Sequence, residues 1–225
     1  MKILSFFTFI LATLRLVSQP VNLVLNPSFE KLQPGADLLC AYIQNDRDFD
    51  KIASDWTASG TADLINWKPD NYGDCFFPKP RTGMRSVGII TYLPKTDMRM
   101  NYDYHEFVQG KLKFPLVRGL KYEIEFYVQQ ADSVALDHMR VLYGEKQVVF
   151  PTAAGNLGVY FTYDEDGYFA LDAVQPQFVV QEPVVTKPGE WRRISGTFVP
   201  DRDYLFFTIG NFSSDANTFN TLENN

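Results

Sequence analysis

The octet Lys121-Tyr122-Glu123-Ile124-Glu125-Phe126-Tyr127-Val128 constrains the fold more than any other stretch. Successive side chains of an extended strand point to opposite faces, so Tyr122, Ile124, Phe126 and Val128 share one face and Lys121, Glu123, Glu125 and Tyr127 the other. That strand has one face in a core and one in water. Less regular stretches of similar character lie at 60–67, 86–92, 104–112, 134–142, 157–163, 178–181, 191–199 and 204–212, with Gly or Pro interrupting the chain every ten residues or so. No helical periodicity of comparable length competes. The expected fold is all-β, a jelly-roll β-sandwich of about nine antiparallel strands, and its core draws on 19 Phe, 12 Tyr and 3 Trp.

The chain has 225 residues, which suits one large domain. Its net charge is −6, and no basic block exceeds Arg192-Arg193, so the electrostatic footprint of a nucleic-acid binder is missing. At the start, Lys2 precedes the apolar run from Ile3 to Ala12, and Ser18-Gln19-Pro20 forms a polar exit. A membrane span needs about twenty apolar residues, so this pattern reads as an export signal over 1–19 and not as a transmembrane span. Arg15 and the lack of an Ala-x-Ala site depart from the usual form of such signals. The expected domain covers 20–212. Residues 213–225 are polar and aperiodic, and are expected to form an unstructured or truncated tail.

Cys40 and Cys75 are the only cysteines. In an oxidising compartment a disulfide between them is favoured, and it would be worth on the order of 3 to 4 kcal/mol by the chain-entropy argument. Neither lies in a CxxC motif, and two cysteines without a nearby histidine make a poor zinc site. Residues 31–60 read mostly as loop, with Trp56 as a core aromatic, and residues 68–82 as a long loop around Cys75.

The opening Asn22-Leu23-Val24 with Asn26-Pro27-Ser28-Phe29-Glu30 is followed in order by Trp56, Gly60-Thr61, Asp63, Arg81-Thr82-Gly83, Tyr122, Trp191, Ser195-Gly196-Thr197-Phe198 and Thr208-Ile209-Gly210-Asn211-Phe212. This order, from Asn22 to Phe212, resembles a family of secreted and cell-surface proteins of the Bacteroidetes. Its members carry a jelly-roll domain of galactose-binding or carbohydrate-binding-module type, often ahead of an OmpA-like outer-membrane domain. The resemblance implies localisation outside the cytoplasm of a bacterium and, in the full-length protein, an envelope-anchoring C-terminal domain. It also implies a structural calcium between the opening and closing strands, with Glu30 as the ligand present here. The family's closing aromatic strand with its Asp-Asp-Val is absent, so Asn22 to Glu30 is expected to be an exposed, unpaired edge.

Material for catalysis is sparse. There are two histidines, no GxSxG elbow and no HExxH. His105 is expected to make surface hydrogen bonds, and His138 points away from its neighbour Asp137 on a strand. Glu123 and Glu125 sit about 7 Å apart along one face, a spacing a glycosidase pair could use, although a wet sheet face accounts for them equally well. Asp164-x-Asp166-Gly167 lacks the glutamate of an EF-hand twelve positions from Asp164, where Gln175 stands, and is expected to be a hairpin turn.

Binding is the better expectation. Sugar rings stack their C–H faces on aromatics while planar polar side chains take the hydroxyls. Trp67, Tyr72, Phe76, Phe77, Arg81, Arg99, Tyr102 and Tyr104 cluster in or near loops and are the candidate contacts. The expected function is a non-enzymatic exported module that binds a glycan or cell-surface ligand. The alternatives are a structural or adhesion module with a protein partner and, behind it, a glycoside hydrolase.

Overall fold

The computed structural model describes residues 21–36, 49–67, 79–93, 102–130, 152–165, 171–187 and 189–221. Nine strands run through them: β1 (Trp56–Ser59), β2 (Asp63–Asn66), β3 (Arg85–Gly88), β4 (Phe107–Lys111), β5 (Tyr122–Val128), β6 (Leu157–Thr162), β7 (Phe178–Val180), β8 (Arg192–Phe198) and β9 (Phe206–Asn211). Among the described residues, helical structure is limited to α1 (Phe49–Ile52) and a 3-10 turn at Asp215–Asn217. A five-stranded sheet has the order β1-β4-β9-β6-β7, and β2-β3 and β5-β8 form two-stranded sheets. Every strand pairing is antiparallel. The fold is therefore all-β, as the alternation along 121–128 predicts.

One aromatic-rich core takes side chains from all three sheets, among them Trp56, Leu64, Val108, Ile124, Phe161 and Phe207. Burying a side chain of this size stabilises the fold by about 1.5 to 3 kcal/mol. Phe161 of β6 stacks on Phe198 of β8 at 4.4 Å, and Phe126 of β5 meets Phe178 of β7 edge-on at 6.4 Å. Those two pairs hold the β5-β8 ribbon against the larger sheet. Trp56 is wedged between Phe29 at 4.5 Å and Phe207 at 5.4 Å. Gly110 passes beneath it, and a Cβ there would lie 2.9 Å from the indole. Packed cores do not absorb an intrusion of that size without moving.

Three expectations are corrected. The opening stretch is not an unpaired edge. Leu25 N–H donates to Lys111 O at 2.9 Å, Lys113 N–H donates to Leu23 O at 2.8 Å, and Val24 bridges Leu112. It borders the end of β4 for only three residues, because Asn26, at φ 47°, turns the chain away. The stretch 31–60 is less of a loop than its composition indicates, since it supplies α1 and β1. Residues 213–221 of the expected tail are folded: Asn220 bridges Ala154, and Thr218 and Asn220 are buried. This segment is fastened by polar bonds, such as Asn211 Nδ2 donating to Thr218 Oγ1 at 2.7 Å, and such bonds leave no hydrophobic period to detect.

No helix among the described residues is long and apolar enough to cross a membrane. The expected export signal, the strand expected at 134–142 with His138, and both cysteines lie outside the described residues, as do Asp166 and Gly167.

Candidate functional site

The β5-β8 ribbon has an inner face in the core and an outer face in water. Its register places Glu123 opposite Thr197, Glu125 opposite Ser195 and Tyr127 opposite Arg193 on the outer face. From that position Arg193 reaches diagonally to Glu125: Nε and one terminal nitrogen donate to Oε2 at 2.8 and 2.6 Å. The same nitrogen donates to Glu123 Oε1 at 3.4 Å, and Tyr127 donates its hydroxyl to Glu125 Oε1 at 3.1 Å. These bonds, those from Arg193 above all and then that from Tyr127, hold the Glu125 carboxyl below the usual carboxylate range. The partnership raises the Arg193 guanidinium in turn, chiefly through its hydrogen bond to Glu125.

The segment leading into β3 brings further residues to this face. Arg81 lays its guanidinium carbon 3.5 Å from the centre of the Tyr127 ring, in van der Waals contact with the ring face. Lys79 Nζ lies 5.3 Å from the centre of the Trp67 ring, and Trp191 donates its indole N–H to Lys79 O at 3.1 Å. The segment around residues 79–81 thus makes two sets of contacts, Arg81 on Tyr127 beside the Arg193 cluster, and Lys79 with Trp67 through its ammonium and with Trp191 through its carbonyl.

Glu30 fixes the segment in place. Its Oε1 accepts the backbone N–H of Met84 at 2.8 Å and of Arg85 at 2.9 Å, and Arg85 pairs with Oε2 at 3.1 Å. Gly83 at φ 66° lies directly against this carboxylate, where a Cβ would overlap it. These residues do not fit the calcium ion expected at Glu30. The carboxylate faces N–H donors and a guanidinium, whereas calcium is held by oxygen ligands and would be repelled by the Arg85 charge.

Of the residues predicted from sequence, Arg81 lies on this face against Tyr127, and Trp67 lies against Lys79, two residues before it. Tyr72, Phe76, Phe77, Arg99, Cys40 and Cys75 lie outside the described residues. Tyr102 is 57 % exposed. Tyr104 has a different role: its hydroxyl donates to Glu106 Oε1 at 3.0 Å and accepts the Thr61 N–H at 3.0 Å, clamping the turn between β1 and β2. Glu106 is 2 % exposed and also accepts Thr61 N–H at 3.0 Å, Thr61 Oγ1–H at 2.5 Å and Ile90 N–H at 2.8 Å. Burial pushes the Glu106 carboxyl up, against the lowering effect of these bonds. Burial first, then the Glu106 charge, pushes the Tyr104 phenol up to about 12.

Sequence reasoning missed Lys79, Tyr127, Trp191 and Arg193. Tyr127 and Arg193 could have been found, because both stand on the wet side of strands already visible as strands. His105 is buried and not at the surface. Its Nδ1 lies 2.9 Å from Asn211 O and its Nε2 2.8 Å from Asp215 Oδ1, because the 3-10 turn packs over it. The carbonyl can only accept, so Nδ1 carries a hydrogen.

Glu123 and Glu125 remain 61 % and 41 % exposed and share one arginine. A glycosidase acid is held protonated near neutral pH by burial in an apolar pocket, whereas both of these carboxyls are exposed. No family model matches the chain, and no curated protein matches its sequence.

Proposed function

We propose that this chain is a non-enzymatic, exported binding module of jelly-roll type that takes a glycan on the outer face of the β5-β8 ribbon. The observation that carries the reading is the Arg81–Tyr127 stack, with its 3.5 Å contact, beside Trp67 and Trp191 on an open sheet face. Aromatic surface and planar hydrogen-bonding groups side by side are what a saccharide requires, one for its C–H face and the other for its oxygens. Glu123 and Glu125 both stay exposed and share Arg193, which supports a binding face over a hydrolytic pair. The test is a glycan array probed with the protein and with Tyr127→Ala, with and without EDTA. The reading expects saccharide signals that fall in the variant and survive the chelator; a folded protein silent on every saccharide overturns it.

A second reading, adhesion to a protein partner, is favoured by a different observation. Phe114, Val117, Leu120 and Val199 are all more than half exposed. They lie on neighbouring turns joined by the Leu116 N–H to Tyr204 O and Gly119 N–H to Pro200 O bonds, both under 3 Å. Phe114→Ser with Val117→Ser would abolish capture of a protein partner and leave the array signals intact; loss of both signals together would count against two separate surfaces.

A further inference from the structure

We infer that the saccharide bound on this face is acidic, carrying a carboxylate or a sulfate that Arg81 receives. This rests on the glycan reading above. Among the described residues, neither Arg81 nor Lys79 has a carboxylate partner; each lies instead against an aromatic ring. The nearby carboxylates Glu123 and Glu125 are both taken by Arg193. Glu125 is held down mainly by the Arg193 hydrogen bond, and the field of Arg81 is the smallest contributor. Among the described residues named here, Lys79, Arg81 and Arg193 outnumber Glu123 and Glu125 by one, on a chain whose net charge is −6.

The chemistry of Arg81 narrows the ligand further. A guanidinium presents five N–H donors in a planar fork, matched to the paired oxygens of a carboxylate or sulfate and poorly matched to single hydroxyls. None of those donors makes a hydrogen bond among the described residues, while stacking on Tyr127 holds the group in place. An anionic group therefore meets a fork that is already positioned, and less side-chain freedom is lost on binding. Lys79 adds a second, point-like charge beside Trp67, with its carbonyl held by the Trp191 indole. A neutral saccharide would supply neither charge with a counterpart, and no carboxylate among the described residues does so.

The test is isothermal titration of the whole chain with three probes: an oligogalacturonate, its methyl ester of equal length, and a sulfated heparin oligosaccharide. The methyl ester removes the charge and preserves the ring. The acid should bind about tenfold or more tighter than the ester, and Arg81→Ala should erase that difference while the melting temperature holds. Arg81→Lys should recover part of the charge dependence, without the fork geometry. The acid and sulfate arms identify which anion is preferred. Equal affinity for acid and ester would overturn the acidic preference and leave the glycan reading standing. Failure of all three probes, with a silent array, would overturn both. An unchanged acid preference in folded Arg81→Ala would overturn the assignment to Arg81.

Discussion

Replacing Asn26 by alanine removes the side chain that ties the first turn to Lys31 and Ser54. The side chain donates from Nδ2 to Ser54 O at 2.8 Å and to Lys31 O at 2.9 Å, and accepts the Lys31 N–H on Oδ1 at 2.9 Å. The Ser54 bond is half-buried and contributes about 1 to 1.5 kcal/mol; the two Lys31 bonds are exposed and contribute about 0.5 kcal/mol each. Asn26 also sits at φ 47°, a conformation that costs an alanine about 1 kcal/mol. The sum is about 3 kcal/mol, and a chain of this size should melt about 6 to 12 °C lower. Urea unfolding followed by tryptophan fluorescence suits the measurement, because the Trp56 indole donates to Asn26 O at 2.9 Å and reports on the same corner. Asn26→Gly keeps the backbone conformation and should lose about 2 kcal/mol, the hydrogen-bond share alone. An alanine variant within about 0.5 kcal/mol of the parent, or a glycine variant less stable than the alanine one, would refute this account.

Glu106 carries a pH dependence whose sign is fixed by its raised folded value. Between the ordinary 4.5 and that value the folded chain holds a proton that the unfolded chain has released, so stability is full below 4.5 and falls as pH rises through the folded value. Glu106→Gln should flatten that slope in melting curves taken from pH 4 upward, and should cost about 1 to 3 kcal/mol at low pH, because an amide nitrogen in place of Oε2 leaves the Ile90 N–H unpaired. An unchanged slope would count against burial as the cause. Gly83→Ala forces a side chain onto the Glu30 carboxylate at φ 66° and should destabilise by about 2 to 3 kcal/mol. It should also weaken oligogalacturonate binding at temperatures where the variant is still folded, since Glu30 places the segment that carries Arg81. Full binding in that variant would detach Glu30 from the site.

Much of the fold could be read in advance because its strands keep a strict period of two. The octet 121–128 has Tyr122, Ile124 and Phe126 packed on the core and Glu123 and Glu125 in water, as its alternation requires. Strand β1 was hidden because Asp55 and Gly60 bracket it with positive φ, and its Thr-Ala-Ser looks like the loop around it. The candidate site was half legible. Trp67 and Arg81 stand out by residue type, but their meeting with Tyr127 and Trp191 depends on how the 79–85 segment crosses the ribbon. Residues 79 and 191 touch across 112 positions of chain. No local period encodes such a contact, and Glu30, expected as a metal ligand, instead sets it through three donors.

The central claim is that ligand binds the outer face of the β5-β8 ribbon and not the loop aromatics. Titration calorimetry of oligogalacturonate against Tyr127→Ala and Tyr102→Ala, each verified as folded, tests it most directly. Loss of binding of about tenfold or more in Tyr127→Ala with parental affinity in Tyr102→Ala is the predicted result. Parental affinity in Tyr127→Ala with loss in Tyr102→Ala would contradict it.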